Sequence, residues 1–468
     1  MKIPFAKQAY ESRSKPLMAQ RCVNFYMEPA PEGSISDIAL FGTPGLVLFA
    51  DLGGSPIYGL HVMGSKLYAV SGNNVYEIDS SSASTNLGNI GSVSDVVIMD
   101  DNETDVTIVK EDGAAYLARS GSLAQITDGD YNSSSSITVL DSFNILTNID
   151  SAYFQISALN DASAYDALDI AKVEGISGNL VRAMKFRGEC WMFKQFSTEV
   201  YYNSGAGNFP FIPIGSATMQ RGCAAKRSVA TDSDHMAWLG DDLIVYIAGN
   251  YNPERISTFG LEKEIASYST TSDAEAFIYT QEGHKFYVLT FPTESVTWVY
   301  DITVSTPEQR IWHQRQSFGK GRWRASSFAF FNGMNLVGDF ETGKIYSLNL
   351  DIYDENGETL QALATCPPIY KNGERLTHDR IQIQFDTGVG LISGQGSDPQ
   401  CMLRFSDDGG YTWSNERTKS IGGIGKYKDR VVFRKNGQAR ERIYEVSITD
   451  PVKRNITRAD VDIRVGSA

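Results

Sequence analysis

Short apolar runs, each closed by a turn, recur along most of the chain, and few are long enough to make a helix. In an early unit, residues 60–63 lead into the turn Gly64-Ser65-Lys66, residues 67–70 follow, the turn 71–74 comes next, and Val75-Tyr76-Glu77-Ile78 ends the unit. A late unit keeps this order: residues 326–331, the turn Asn332-Gly333, residues 334–337, the turn Glu341-Thr342-Gly343, then Lys344-Ile345-Tyr346. Tyrosines mark the third strand of successive units at Tyr76, Tyr116, Tyr153, Tyr201, Tyr246, Tyr300 and Tyr346, spaced by 40, 37, 48, 45, 54 and 46 residues. Their mean period of 45 matches the ~40–50 residues of a four-stranded propeller blade. A lone blade cannot cover both of its faces, whereas stacking blades around an axis covers both and leaves few free edges. The pattern predicts an all-β fold, a β-propeller of about seven four-stranded blades (or six) over residues 51–360. The unit around Tyr153 is the least regular, and residues 160–172 after it read as a loop with one helical turn.

Beyond residue 361 the rhythm changes. Pro367-Pro368 breaks the chain, and a protease-sensitive boundary is expected at 361–372. In residues 380–386, Ile381, Ile383 and Phe385 face one way and Gln382 and Gln384 the other, as in a half-buried strand. Residues 402–405, 430–433 and 443–448 continue the β signal. A small antiparallel β-sandwich over 361–468 is expected, completed by the N-terminal segment 1–50.

Charge supports the division. Residues 361–468 carry 17 basic and 13 acidic side chains and residues 1–50 carry 5 and 4, whereas residues 51–360 carry 20 and 39, a net −19 within a total of −14. The two ends group together at +5. So acidic a body argues against broad wrapping of nucleic acid. The five cysteines, Cys22, Cys190, Cys223, Cys366 and Cys401, are far apart with no CxxC, which fits reduced thiols better than disulfides or zinc. No run reads as a signal peptide or membrane span, so synthesis in a cytoplasm is expected.

The sharpest local motif is Ser406-Asp407-Asp408-Gly409-Gly410-Tyr411-Thr412-Trp413, which matches the Asp-box pattern S-x-D-x-G-x-T-W. Its key residues are Ser406, Asp408, Gly410, Thr412 and Trp413. They read as a structural hairpin: a carboxylate ties the turn, Gly permits its dihedrals, and Trp packs beneath. Burial of Trp413 at the level of a core Trp implies a truncation cost of about 3–5 kcal/mol. Sialidase propellers carry several such boxes; here there is one, outside the propeller, with no Phe-Arg-Ile-Pro motif. Glycosidases need two carboxylates about 5–9.5 Å apart, and no spacing singles out a pair. Asp100-Asp101 and Asp241-Asp242 read as solvated turns. Asp128–Asn132 opens like an EF-hand loop but has Ser133 at the sixth position and Val139 at the twelfth. Residues 388–394 miss the dinucleotide fingerprint. The five histidines lie at least 29 residues apart without metal-ligand spacing. No catalytic, cofactor or metal site is expected. Lys320-Gly321-Arg322-Trp323-Arg324 interleaves cations with an aromatic, which could touch phosphates, although a loop with Trp323 in the core is the favoured reading. Lys426–Arg430 and residues 434–442 form a denser basic stretch suited to an acidic protein surface or simply to solvent.

Several segments resemble one family. Arg21-Cys22-Val23-Asn24-Phe25-Tyr26 and Leu40-Phe41-Gly42-Thr43-Pro44-Gly45 look like the opening of the packaged-DNA stabilization proteins of short-tailed phages, also called tail accessory factors or tail nozzle proteins. Residues 197–205, Gly222-Cys223, Trp238-Leu239-Gly240-Asp241-Asp242, Arg255-Ile256-Ser257-Thr258, the Asp box and residues 440–446 agree. The resemblance implies a non-enzymatic virion tail protein made in the host bacterial cytoplasm. It implies a hexameric ring below the portal and its adaptor ring, closed by a needle or plug, with tailspikes or fibres as further neighbours. Double-stranded DNA would pass through the lumen without sequence-specific binding, and no membrane would be engaged. The rival readings are a propeller glycosidase and a receptor-binding tail protein, both acting on host surface sugar.

Overall fold

Turn chemistry cuts the chain into strands. Asp141-Ser142 (φ 50° and 65°), Arg187-Gly188 (52° and 77°), Glu282-Gly283 (47° and 85°) and Asn332-Gly333 (49° and 75°) each place two successive residues in the left-handed region. That backbone matches the twist of a tight hairpin, and each pair joins the first two strands of a blade. The computed structural model describes every residue except Met1, Pro4, Ala6, Lys7, Asn208, Ser467 and Ala468. Seven four-stranded antiparallel blades result. Blade 1 covers residues 57–89, blade 2 98–125, blade 3 134–172, blade 4 180–213, blade 5 230–255, blade 6 275–314 and blade 7 325–349. Separate apolar clusters fill the gaps between neighbouring blades, such as Phe193 against Trp238 between blades 4 and 5 and Val288 against Trp323 between blades 6 and 7. Blades 5 and 6 instead share one large core with the C-terminal sandwich.

All seven marker tyrosines lie on third strands. Tyr201, Tyr246, Tyr300 and Tyr346 are buried, but Tyr153 is 43% exposed and its neighbour Phe154 is fully buried. In that blade the pattern is one residue out of step, because Phe154 fills the place against Tyr201. Residues 160–172 are not a loop with a helical turn. Asp161–Lys172 is the outer strand of blade 3, with two register shifts against Tyr153–Ala158. The bulges break the period-2 alternation that would have revealed it.

Blade 7 takes its fourth strand from the N-terminal segment. Gly45–Asp51 pairs with Lys344–Asn349, from Asn349 opposite Gly45 to Lys344 opposite Asp51. A boundary at residue 50 therefore falls inside a propeller strand. Before it the chain weaves through the other domain: Phe25–Pro29 and Ile38–Gly42 join the sandwich sheet containing Leu376–Phe385 and Ile456–Val465. Cys22–Val23 lies between Trp312–Gln314 of blade 6 and Ala362–Thr365, so blade 6 continues into the second sandwich sheet. Of the protease-sensitive boundary expected at 361–372, Ala362–Thr365 is buried within a ten-stranded sheet, whereas residues 370–372 are exposed.

One residue ties these crossings together. Asn24 sits in the left-handed region (φ 55°), 1% exposed. Its side-chain amide donates to Gln316 O (2.8 Å) and Gln361 O (2.7 Å) and its Oδ1 accepts from Gln316 N (3.0 Å). Its own N–H donates to Gln314 O and its carbonyl accepts from Thr43 N. Asn24→Ala strands several buried partners, each costing about 1–3 kcal/mol, and replaces an Asn, which tolerates left-handed backbone, by an Ala that does not, at about 1 kcal/mol. Calorimetric or denaturant unfolding should show a loss of about 3–5 kcal/mol for Asn24→Ala, with Asn24→Gly milder by about 1 kcal/mol.

Candidate functional site

The Asp box forms the turn after Gln400–Ser406. Asp408 Oδ1 accepts from Ser406 Oγ (2.7 Å), Tyr411 N (3.0 Å) and Thr412 N (2.9 Å), while Oδ2 accepts from Thr412 Oγ1 (2.6 Å). Ser406 Oγ also accepts from Gly410 N (2.8 Å). These bonds, led by the Thr412 hydroxyl, hold the Asp408 carboxyl well below the usual range. Gly409 (φ 76°) is required twice over, because a Cβ there would lie 2.6 Å from Pro16 Cα. Lys15 also sits over the Tyr411 ring. The box is thus a seat for the N-terminal hairpin of Tyr10–Glu11 and Ala19–Gln20. Trp413 differs from the sequence expectation. It is half-buried rather than sealed in a core, with the Arg404 guanidinium 4.8 Å from the ring centre.

The other chemical candidates resolve into structure. Trp323 is fully buried, and Arg322 and Arg324 are 5% and 4% exposed. Arg322 pairs with Glu275, and Arg324 with Asp339, Glu355 and Glu358. Residues 322–324 are thus closed to a phosphate backbone. Asp100 and Asp101 are not in a solvated turn, since they end the inner strand of blade 2. Asp100 accepts from Val139 N (2.7 Å) and Thr138 Oγ1 (3.2 Å) of blade 3, and Asp101 pairs with His61 Nε2 (2.6 Å) of blade 1. Asp241 and Asp242 do lie exposed in a turn, accepting from Gly222 N and the Tyr246 hydroxyl. Asp128 ties its own turn through Asp130 N. Among the described residues two groups have the ligand spacing for a metal ion, His61/Asp100/Asp101 and Asp232/Asp234/His235. In the second, Lys285 Nζ already sits 3.0 and 2.8 Å from the two carboxylates. Residues 426–430 are exposed, whereas Arg442 is buried, chelating Asp407 through two bonds of 2.6 and 2.7 Å.

The side chains that matter most at the domain junction had no signal in the sequence. Arg315 is fully buried, 3.5 Å from the Trp323 ring centre, and donates to Pro44 O. His284 of blade 6 faces Asp301 Oδ2 (2.7 Å) and Glu28 of the sandwich (3.8 Å). Burial disfavours its charged form, but the two carboxylates outweigh burial and raise its pKa. The motif at 255–258 proves to be a brace. Arg255 grips Glu262 with two bonds of 2.6 Å, Ser257 Oγ donates to the same carboxylate, and Thr258 caps the helix Phe259–Ile265.

Three measurements follow from this geometry. Trp413→Ala should cost about 1–2 kcal/mol by thermal or denaturant unfolding, less than a core Trp, since only part of the ring and one cation–π contact are lost. His284 has a folded pKa above its unfolded value, so its contribution is full below about pH 6.5 and fades as pH rises through the folded pKa. The melting difference between wild type and His284→Gln should be largest near pH 6 and shrink toward pH 9. Asp408 has the opposite sign: its contribution holds above about pH 4 and is lost as pH falls. Asp408→Asn should therefore flatten the acid side of the melting profile.

Comparison with known proteins places this architecture. No curated protein matches the chain. Solved structures that resemble it include the WD40 domain of Neurospora crassa Pan2, at 8% identity and TM-score 0.43 over 66% of this chain and 96% of that one. The WD40 β-propeller domain of Doa1 matches at 12% identity and TM-score 0.42, over 65% and 97%. The computationally designed Ika8 protein matches at 9% and 0.38, over 64% and 99%. The family is decided by two sequence models, "Bacteriophage P22 Gp10, beta-propeller" over residues 1–353 and "Bacteriophage P22 Gp10, beta-sandwich" over residues 362–464. The chain belongs to this phage stabilisation family and is a structural protein of the viral tail, not an enzyme.

Proposed function

We propose that the protein forms a ring, six copies by resemblance to its family, that extends the portal channel, retains packaged DNA and conducts it during ejection. The observation that carries this reading is the blocked propeller axis. The axial cavity measures about 200 Å³ and is flanked by the Arg227–Asp95 and Arg322–Glu275 pairs. A duplex whose major groove alone is about 12 Å wide cannot thread it. A channel for DNA must then be built between copies of the chain.

Charge supports a lumen that guides rather than grips. The propeller region carries −19, and like charge keeps phosphates off a wall. Many exposed Lys and Arg would instead add counterion-release affinity. The exposed basic loop at 426–430 lies in the sandwich, which suits docking to acidic neighbours among the portal, adaptor, needle or tailspike proteins. Assembly takes place in the host cytoplasm in this scheme.

Particles lacking the protein test the proposal. Capsids should fill normally and then lose their genome or fail to complete a tail, read as encapsidated DNA after nuclease treatment. Particles that keep their DNA and lose only adsorption would favour a receptor-binding role. Purified protein should bind duplex DNA negligibly at physiological salt, and a ring with tight, salt-sensitive DNA affinity would contradict a guiding lumen.

A further inference from the structure

We infer that the axial cavity of the propeller is a binding site for one small oxyanion of the phosphate or sulfate class. Its wall comes from the inner strands of several blades, with Arg182 from blade 4, Arg227 just before blade 5, Glu275 from blade 6 and Ser327 from blade 7. The volume of about 200 Å³ exceeds the ~30 Å³ share of one water several-fold, so a tetrahedral anion fits with room for water.

One guanidinium group at the cavity lacks an ion-pair partner. Arg227 pairs with Asp95, and Glu275 with Arg322. Arg182 has no carboxylate in salt-bridge contact among the described residues, and its one hydrogen bond goes to the carbonyl of Lys226 (3.1 Å). Asp100 acts on it through space, while the Asp100 oxygens accept from Thr138 Oγ1, Val139 N and Asp101 N. Lys226 lies close to both arginines and is answered by Asp95 and Glu111.

Hydrogen-bonding capacity is left over as well. The Nε–H groups of Arg182 and Arg227 and the hydroxyl of Ser327 are buried and have no partner. Arg227 is 7% exposed. A buried donor without an acceptor costs about 1–3 kcal/mol, and three around one cavity, one of them on an arginine without an ion-pair partner, fit an acceptor-only, negatively charged guest. Guanidinium groups suit such a guest because their planar donors match two oxygens at once. Glu275 opposes an anion, but Arg322 and Arg227 both act on its carboxylate. A bound oxyanion would join blades 4, 5 and 7 across the axis.

Calorimetry and thermal melting with inorganic phosphate, against chloride at equal ionic strength, test the site. One equivalent should bind per chain, and melting should rise by about 2 °C at tenfold excess over the dissociation constant. Arg182→Gln should abolish both signals, while Arg430→Gln on the exposed sandwich loop should keep both. Selenate soaked into crystals should give an anomalous peak beside Arg182. A folded Arg182→Gln variant that binds phosphate like wild type overturns the assignment, as does a wild type with no saturable response beyond chloride. Should Arg182→Gln not fold, Ser327→Ala retains both guanidinium groups and should weaken binding several-fold; an unchanged constant there also overturns the site.

Discussion

The structure hangs on the crossing point at Asn24. Three stretches of chain meet there: the exit from blade 6 at Gln314–Gln316, the entry to the sandwich at Gln361, and the approach to the closing strand at Thr43. A side chain with both a donor and an acceptor holds the first two, and the backbone carbonyl of the same residue, which tolerates left-handed backbone, holds the third. Without that crossing, the strand that closes the propeller and the strands that complete the sandwich would have no fixed relation. The two domains therefore do not fold as separate beads, because the N-terminal segment is a structural part of each.

Around the crossing the protein uses buried charge where most cores use apolar side chains. Arg315 lies on Trp323, and Arg324 meets Asp339 and Glu355, which are themselves nearly sealed from solvent. Such pairs add little net stability, since desolvation offsets attraction, but removing one partner strands the other at a large cost. They favour a single arrangement of the junction over slipped alternatives. The same logic applies to Arg442 on Asp407, which fixes the Asp-box hairpin against the strand behind it.

Much of this was legible in the sequence, for a physical reason. A blade repeats because every blade solves the same burial problem, so the marker tyrosines fell on third strands in all seven units. The pattern failed where strands bulge, as in Asp161–Lys172, since an inserted residue resets the alternation. The Asp box was readable because its turn is written in consecutive residues; the depth of Trp413 was not, because that depends on Arg404 and on what fails to cover the ring. The path of residues 1–50 was only half legible. Charge grouped it with the C-terminal domain, and Gly45–Asp51 went to the propeller, because the free edge of blade 7 lies about 300 residues away in sequence. Arg182 and Arg227 look like ordinary surface residues until the topology brings them to one axis.

The origin of the closing strand also governs the order of synthesis. The strand Gly45–Asp51 leaves the ribosome early, and its partner Lys344–Asn349 follows some 300 residues later. At about 5–20 residues per second, roughly 15–60 s separate the two. Through that interval the nascent chain carries an apolar strand with both edges open while six blades accumulate without closure. A pairing of such high contact order is slow even in the finished chain. The tail subunit is therefore most exposed to misassembly with its own siblings during synthesis, when many identical nascent chains present the same unfilled edge.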